Sequence, residues 1–593
     1  MKKSILFIIL TVLTLGIFRP VHAQAASQKL PSGTDRSQIG QKIQDYVKEH
    51  EKTTAGMETA VFDTNGTIYR GNFGYMDKEK GIKADDSSVF EWGSVTKLTV
   101  WVSVMQLWEE GKINLEEDIR TYLPEGFLKN LRYDKPITML DLMNHQAGFE
   151  EASHAGYLEN KGQTIEEILA VNQPAQIFEP GTTTAYSNYG AGLASYIVER
   201  LSGQNFADYA HEHIFQPLGM DKTSILPGFT DNDYVRDKRK EAQSYDIEGK
   251  AIGSAYFHLG LYPVGQAAST MEDFQKFAQA LLKKDKLFKR AETWTTLYTA
   301  TSTYPGTDKL LNAHGFMVEG YGTMVLGHGG NSTGYSSYIL LDLKNGIGLT
   351  VMTNQKGEDI YNVQMPELIF GAKKKTDKAA FENFQPGYYR SARYFETGPL
   401  SLVRSLFYTS YAPKSMDNSL LSQNYAVLSQ EGGQEKVTSS TGDTLKIPDA
   451  EIQKDQAMYL LAAVGLVYAV INLIISGGID MIRLLKKTAA KTPKKLRIWN
   501  YVTSLAVLAA GLNFALFFLA MTSGDISFLA SWRYMIYAGL GLILAACAVY
   551  PLVAKAWKEL SKSCIALTVL TSLSALAILA NILYWSLYQW WVI

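Results

Sequence analysis

Cysteine is nearly absent. The 593-residue chain has two, Cys547 and Cys564, both in an apolar C-terminal part. The polar part therefore has no disulfide and no cysteine-held metal, and it folds the same way whatever the redox state around it. An excess of one charge is missing too: 57 basic and 58 acidic residues leave a formal net charge of −1. No domain is strongly basic, so nothing points to nucleic-acid binding. His211 and His213 lack a third ligand, so no metal site is expected from them. The length implies two or three domains.

Four regions can be marked out. Residues 1–25 carry Lys2 and Lys3, an apolar run from Ile5 to Phe18, and Val21-His22-Ala23-Gln24-Ala25. That is the layout of a secretory signal, with cleavage after Ala23 or Ala25. Residues 30–372 form a polar, mixed domain. Gln38 to Glu51 reads as an amphipathic helix, and Met57 to Phe62 with Thr67 to Phe73 as a hairpin. A helical middle follows, then strands at Val325 to Gly330, Tyr335 to Leu341 and Gly348 to Met352. Early strands, central helices and late strands predict an α+β domain with one antiparallel sheet flanked by helices. Residues 373–456 read as a small β-rich connector and 457–593 as a membrane part.

Chemistry is concentrated around residue 94. Gly93-Ser94-Val95-Thr96-Lys97 opens a mostly apolar run to Trp108, stopped by Gly111. Positions i and i+3 share a helix face, so Ser94 and Lys97 are neighbours. A serine hydroxyl needs a nearby base, and a lysine in an apolar pocket beside another positive group can be neutral enough to serve. The N–H groups of the first turn would also favour negative charge beside Ser94. Alone the pair is weak, since Ser-x-x-Lys recurs by chance about once or twice in such a length.

Two further motifs follow in order: Tyr186-Ser187-Asn188 and His328-Gly329-Gly330. With Asn144-His145-Gln146-Ala147-Gly148 and Pro217-Leu218-Gly219-Met220, they make roughly residues 35–370 resemble the serine β-lactamase and penicillin-binding-protein superfamily, on its class C-like side. The resemblance implies that Ser94 is the nucleophile, that Lys97 moves protons, and that Tyr186 is the base for acylation and deacylation. Asn188 could donate to a substrate carbonyl and hold Lys97 in place, and the resemblance implies that the N–H groups of Ser94 and Asn331 hold an oxyanion. Gly329 and Gly330 would let a substrate backbone lie against their strand.

The chain departs from the better-known pattern at His328, where many relatives carry lysine. Histidine is a weaker, pH-dependent anchor, which argues against strong recognition of penicillins or of a free C-terminal carboxylate. No counterpart of the class A glutamate loop is evident, so efficient penicillinase action is not expected. Glu91, Trp92 and His258 are further candidates for lining the pocket, with packing or another structural role as the alternative for each.

Beyond Lys373, the run from Gly387 to Tyr394 resembles the start of an accessory β module. Asn424–Ser429, Gln434–Ser439 and Asp443–Ile447 are candidates for its strands, while Leu400 to Tyr411 suits either a membrane surface or a packed core. Ala457–Ser476, Trp499–Met521, Tyr534–Ala554 and Ile565–Tyr588 are each long enough to span a bilayer. Lysines and arginines crowd residues 483–497 and 555–562, which predicts a cytoplasmic side there and an extracytoplasmic catalytic domain. The spans hold Asn472, Asn513 and Asn581 but no internal charge, which favours an anchor, or a helper presenting a lipidic substrate, over a transporter.

The expectation is thus a membrane-anchored extracytoplasmic serine hydrolase without metal or organic cofactor. Its substrates would be wall peptides, D-alanyl esters on wall polymers, or exported acyl-D-amino-acid peptides. The rivals are a β-lactam sensor that acylates without turnover and a silent binding module.

Overall fold

Gly56–Asp63 (β1) is buried along its whole length, as a strand in the middle of a covered sheet must be. It joins β2 (Thr67–Asp77), β3 (Ile82–Lys83), β4 (Ser302–Thr303), β5 (Leu310–Ala313), β6 (Phe316–Gly320), β7 (Met324–Ser332), β8 (Tyr335–Asp342) and β9 (Ile347–Thr353). The spatial order is β3-β2-β1-β9-β8-β7-β6-β5-β4, with antiparallel pairing throughout. This computed structural model describes residues 28–51, 55–152, 162–171, 173–253, 258–375, 385–411, 425–431, 433–490, 492–523, 525–553 and 560–592. The expected signal at 1–25 lies outside them.

Alternation along β1 sorts its side chains between two cores. Met57 and Val61 join Ile39, Ile43 and Val47 of helix α1 (Ile39–His50), spaced by four so that all three face the sheet. Ala60 and Phe62 join the larger core on the other face. That core includes α2 (Lys97–Glu109), α3 (Asn188–Ser202) and α4 (Met271–Lys283). Helix α2 is buried on nearly every side, which explains its lack of a polar face. The domain is α+β: a nine-stranded antiparallel sheet flanked by helices, with a three-stranded and a two-stranded sheet beside it among the described residues.

The later strands form a separate sheet. Strands β10 (Gly387–Ser391), β11 (Tyr408–Tyr411), β12 (Ala426–Glu431), β13 (Gln434–Ser439) and β14 (Gly442–Lys446) lie in the order β11-β10-β14-β13-β12. This module is docked on the first domain. Asp443 accepts from the Thr184 N–H at 2.9 Å, and its own N–H donates to the Thr184 carbonyl at 2.8 Å. The Glu150 carboxylate accepts the backbone N–H groups of Glu396 and Thr397 at 2.7 and 2.8 Å.

Four helices follow: α5 (Asp449–Lys486), α6 (Lys494–Ser523), α7 (Ser531–Val553) and α8 (Lys562–Tyr584), each long and apolar enough to cross a membrane. Leu400, Leu402 and Val403 pack into the same core as these helices, so the apolar run after β10 caps the bundle. Asn472 of α5 donates to Asn500 and Ser504 of α6 at 2.9 and 2.8 Å, and Thr571 of α8 donates to Asn500 at 2.8 Å. Asn513 joins α6 to α7 through the Arg533 carbonyl at 3.0 Å. Asn581 differs: its amide donates to the Ala577 carbonyl and its side-chain oxygen accepts from Trp585, both within its own chain segment, so among the described residues it ties no second helix.

The module and the bundle meet at a buried ionic knot. Arg404 donates from Nε to Asp455 at 2.8 Å, and the Tyr408 and Tyr584 hydroxyls each donate to Asp455 at 2.6 Å. Removing one partner of such a pair strands the other charge, at a cost of about 3–5 kcal/mol. Asp455→Ala is therefore expected to lower the thermal melting of the full chain in detergent clearly, and Asp455→Asn to lower it less. Unchanged melting of Asp455→Ala would contradict a structural role for the knot.

Candidate active site

The chain enters the site along Phe90–Glu91, which pairs with Ala268–Ser269. It then turns through Gly93, at φ +52°, into a tight turn at Gly93–Thr96 that runs on as α2. Two glycines permit a close backbone approach here. A Cβ on Gly93 would lie 2.6 Å from the Asn331 nitrogen, and one on Gly330 would lie 1.9 Å from the Trp92 carbonyl oxygen. Strand β7 is thereby pressed against the turn, and the N–H groups of Ser94 and Asn331 come to one edge of it. The Ser337 hydroxyl donates to the Trp92 carbonyl at 2.6 Å and fixes that contact from β8.

Lys97 is fully buried. Its amine donates to the Val264 carbonyl at 2.6 Å, and Nζ lies 3.1 Å from Ser94 Oγ. Burial, reinforced by the positive charge of Arg393, holds this amine well below the ordinary lysine value. Its Nζ also stands 5.0 Å from the centre of the Tyr186 ring. The Tyr186 hydroxyl is buried and makes no well-formed hydrogen bond among the described residues, although the Ser94 hydroxyl and Arg393 both ease its ionisation. Desolvation outweighs them and pushes the phenol up to about 12. Tyr186 is therefore protonated at neutral pH, while burial shifts Lys97 toward the neutral amine that could accept a proton.

Tyr186 is held by a corner the sequence marked as a family feature without giving it a role. His145, at φ +56°, packs against the Tyr186 ring, tilted at 41° with centroids 4.3 Å apart, and accepts the Ser187 N–H on Nδ1 at 3.2 Å. The His145 carbonyl accepts the Ala185 N–H at 2.8 Å. Segment 185–187 is thus clasped on both sides. Ser187 caps α3 by accepting the Gly190 N–H at 3.0 Å, which makes Asn188 the first residue of the helix and not part of an extended segment. Asn188 still faces the same cavity as Tyr186.

That cavity, of about 460 Å³, is lined by Ser94, Tyr186, Asn188, His328, Gly329 and Asn331, together with Arg393 and Gly442 from the β module. His328 departs from its expected part. Its Nδ1 lies 2.6 Å from the Gly329 carbonyl, and burial beside Lys97 lowers its pKa to about 3. The ring is neutral at every physiological pH, so it cannot act as a pH-dependent cationic anchor. Glu91, Trp92 and His258 do not line the cavity among the described residues. Glu91 is locked behind the nucleophile by the buried Arg239 at 2.8 Å and by the Ser332 hydroxyl at 2.5 Å. Trp92 is packed against Phe274 and Phe277, with its indole N–H donating to Ser269 at 2.8 Å. His258 is exposed beside Gly228. Away from the site, His211 pairs with Asp231 at 2.7 Å and His213 packs against the Tyr209 ring at a tilt of 37°.

The family model described as Beta-lactamase matches residues 39–372. This chain belongs to the beta-lactamase family. Within curated relatives, it is 27% identical to "Putative penicillin-binding protein PbpX" of Bacillus subtilis (strain 168), over 44% of this chain and 63% of the relative. It is 23% identical to "Protein flp" of Staphylococcus aureus (strain MW2), over 50% of this chain and 58% of the relative. The chain thus spans less than two thirds of the length of these family members. Among solved structures it is similar to an octameric penicillin-binding protein homologue from Pyrococcus abyssi, with 19% identity, a TM-score of 0.49, and coverage of 70% of this chain and 100% of that one. The D-amino acid amidase from Ochrobactrum anthropi SV3 gives 24% identity and a TM-score of 0.47, over 56% of this chain and 98% of that one.

Two results follow from the electrostatics of this family site. The folded chain holds fewer protons on Lys97 than the unfolded chain between its depressed value and the ordinary lysine value. Its contribution to stability therefore rises with pH across that window. At neutral pH Lys97→Met is expected to melt at or above the wild-type temperature while losing activity. Melting below wild type would contradict the burial argument. A neutral His328 predicts that His328→Gln leaves the shape of the pH–rate profile unchanged between pH 5 and 8. Loss of an inflection near 6.5 in that variant would contradict it.

Proposed function

We propose that this chain is a membrane-anchored serine hydrolase that cleaves an amide or ester through an acyl-enzyme on Ser94. The observation that carries the reading is a buried, neutral-leaning Lys97 amine 3.1 Å from Ser94 Oγ at the edge of a cavity. Ser94 Oγ attacks the substrate carbonyl carbon as its proton passes to Lys97 Nζ. The N–H groups of Ser94 and Asn331 receive the oxyanion. As the tetrahedral species collapses, the leaving amine or alcohol takes a proton from the Tyr186 phenol, which Lys97 restores. Water then enters by the same relay and releases the acid. Tyr186 acts here as a donor and relay, not as the ionised base that the resemblance implied.

Acyl-D-amino-acid linkages of the cell envelope or of exported peptides are the proposed substrates, a class in keeping with the penicillin-binding name of the B. subtilis relative. An extracytoplasmic catalytic domain is supported by charge. Arg483, Lys486, Lys494, Lys495 and Arg497 gather where α5 ends and α6 begins. Helix α5, about 57 Å long at 1.5 Å per residue, separates that end from the β module.

A membrane-impermeant fluorophosphonate probe tests both halves. Intact cells carrying the wild-type chain are expected to be labelled, and cells carrying Ser94→Ala are not. Labelling that survives Ser94→Ala would refute the nucleophile. Labelling of wild type only after lysis would refute the placement.

A further inference from the structure

The cavity around Ser94 is not built by the catalytic domain alone. Arg393 follows β10 of the docked β module and reaches the Tyr186 ring, with its guanidinium carbon 5.2 Å from the ring centre. Its Nε donates to Glu151, and Glu151 is itself fixed by donating its N–H to the Tyr394 carbonyl at 3.0 Å. Among the described residues, no hydrogen bond engages the two terminal nitrogens of the guanidinium. Its side chain remains 41% exposed although it sits at the wall of a cavity. Arg393 is thus held by one edge, with its other donors available on the side where substrate would lie.

The rest of the wall sharpens the point. His328, at the position where a cationic anchor was expected, is neutral, and Lys97 is sequestered by Val264 and Ser94. Neither can hold an anionic group of a substrate. We infer that Arg393, delivered by the β module, is the substrate anchor of this site and selects acyl-D-amino-acid substrates that carry a free carboxylate near the scissile bond. A guanidinium fork suits a carboxylate because two parallel N–H groups meet two oxygens. The module then determines specificity, and the doubt that His328 casts on carboxylate recognition is removed by a residue some 65 positions further along the chain. This inference rests on the hydrolase reading above.

The test compares two acyl-D-alanyl thioesters with the full chain in detergent. One has a leaving group ending in a free carboxylate, and in the other that carboxylate is methylated. Wild type is expected to favour the first. Arg393→Ala and Arg393→Gln should raise KM for the carboxylate substrate about 10- to 100-fold, the range of a lost charge-assisted hydrogen-bond pair, and change KM for the methyl ester less than about threefold. Arg393→Lys should recover part of the preference. Equal losses on both substrates, or a shift of kcat and its pH profile with KM unmoved, would overturn the anchor and leave Arg393 acting only through Lys97. A direct binding measurement separates this from failure of the hydrolase reading. In the Ser94→Ala background, calorimetric titration with an N-acyl-D-alanyl-D-alanine, whose free carboxylate lies on the leaving-group side, should show binding that Arg393→Gln weakens at least tenfold, whether or not the wild type turns over. Equal binding by both proteins would overturn the inference.

Discussion

A lysine amine with no solvent around it, 3.1 Å from a serine hydroxyl, is the constraint on which the rest of the structure depends. In water an amine of this kind holds its proton until about pH 10 and is useless as a base. The fold changes this by surrounding Lys97 with α2, the Val264 carbonyl and the Tyr186 ring, and by bringing a second cation to the cavity wall. Keeping an amine in that environment costs stability, as burying any ionisable group does. The large core around α2, α3 and α4 carries that local cost.

The same constraint explains why distant segments have to meet. Residue 94 alone sets a hydroxyl on a turn. The 185–188 segment brings the phenol, and its position depends on the 144–148 corner through His145. Strand β7 brings the second N–H group, and it can come close only because residues 93 and 330 have no side chain. The β module closes the wall with Arg393 and Gly442. Its hold on Thr184, two residues from Tyr186, makes docking of the module and placement of the phenol one mechanical problem.

Much of this was legible in the sequence for physical reasons. The period of four in Ile39, Ile43 and Val47, the hairpin of Met57 to Phe62 with Thr67 to Phe73 and the apolar runs after residue 457 each follow from local rules, although the first apolar run lies within a longer helix, Asp449–Lys486. The Ser94–Lys97 neighbourhood was legible because a helical turn fixes it. Long-range electrostatics was not. Nothing in a linear pattern tells that His328 is buried beside the Lys97 amine, or that Glu91 points back to Arg239 and away from the cavity. Arg393 lies in the run from Gly387 to Tyr394, but its arrival at the site depends on how one sheet docks on another domain. That Asn188 opens α3 was not legible either, because the cap at Ser187 is a matter of backbone geometry.

The most direct test of the account is to trap the covalent species and ask what its formation requires. The full chain would be mixed with a slowly deacylated acyl-D-alanyl ester, quenched within milliseconds to seconds, digested and weighed. The account predicts an acyl group on the peptide containing Ser94, forming faster as pH rises through the depressed Lys97 value, and no such adduct in Lys97→Met. An adduct on another residue, or an undiminished Ser94 adduct in Lys97→Met, would contradict it.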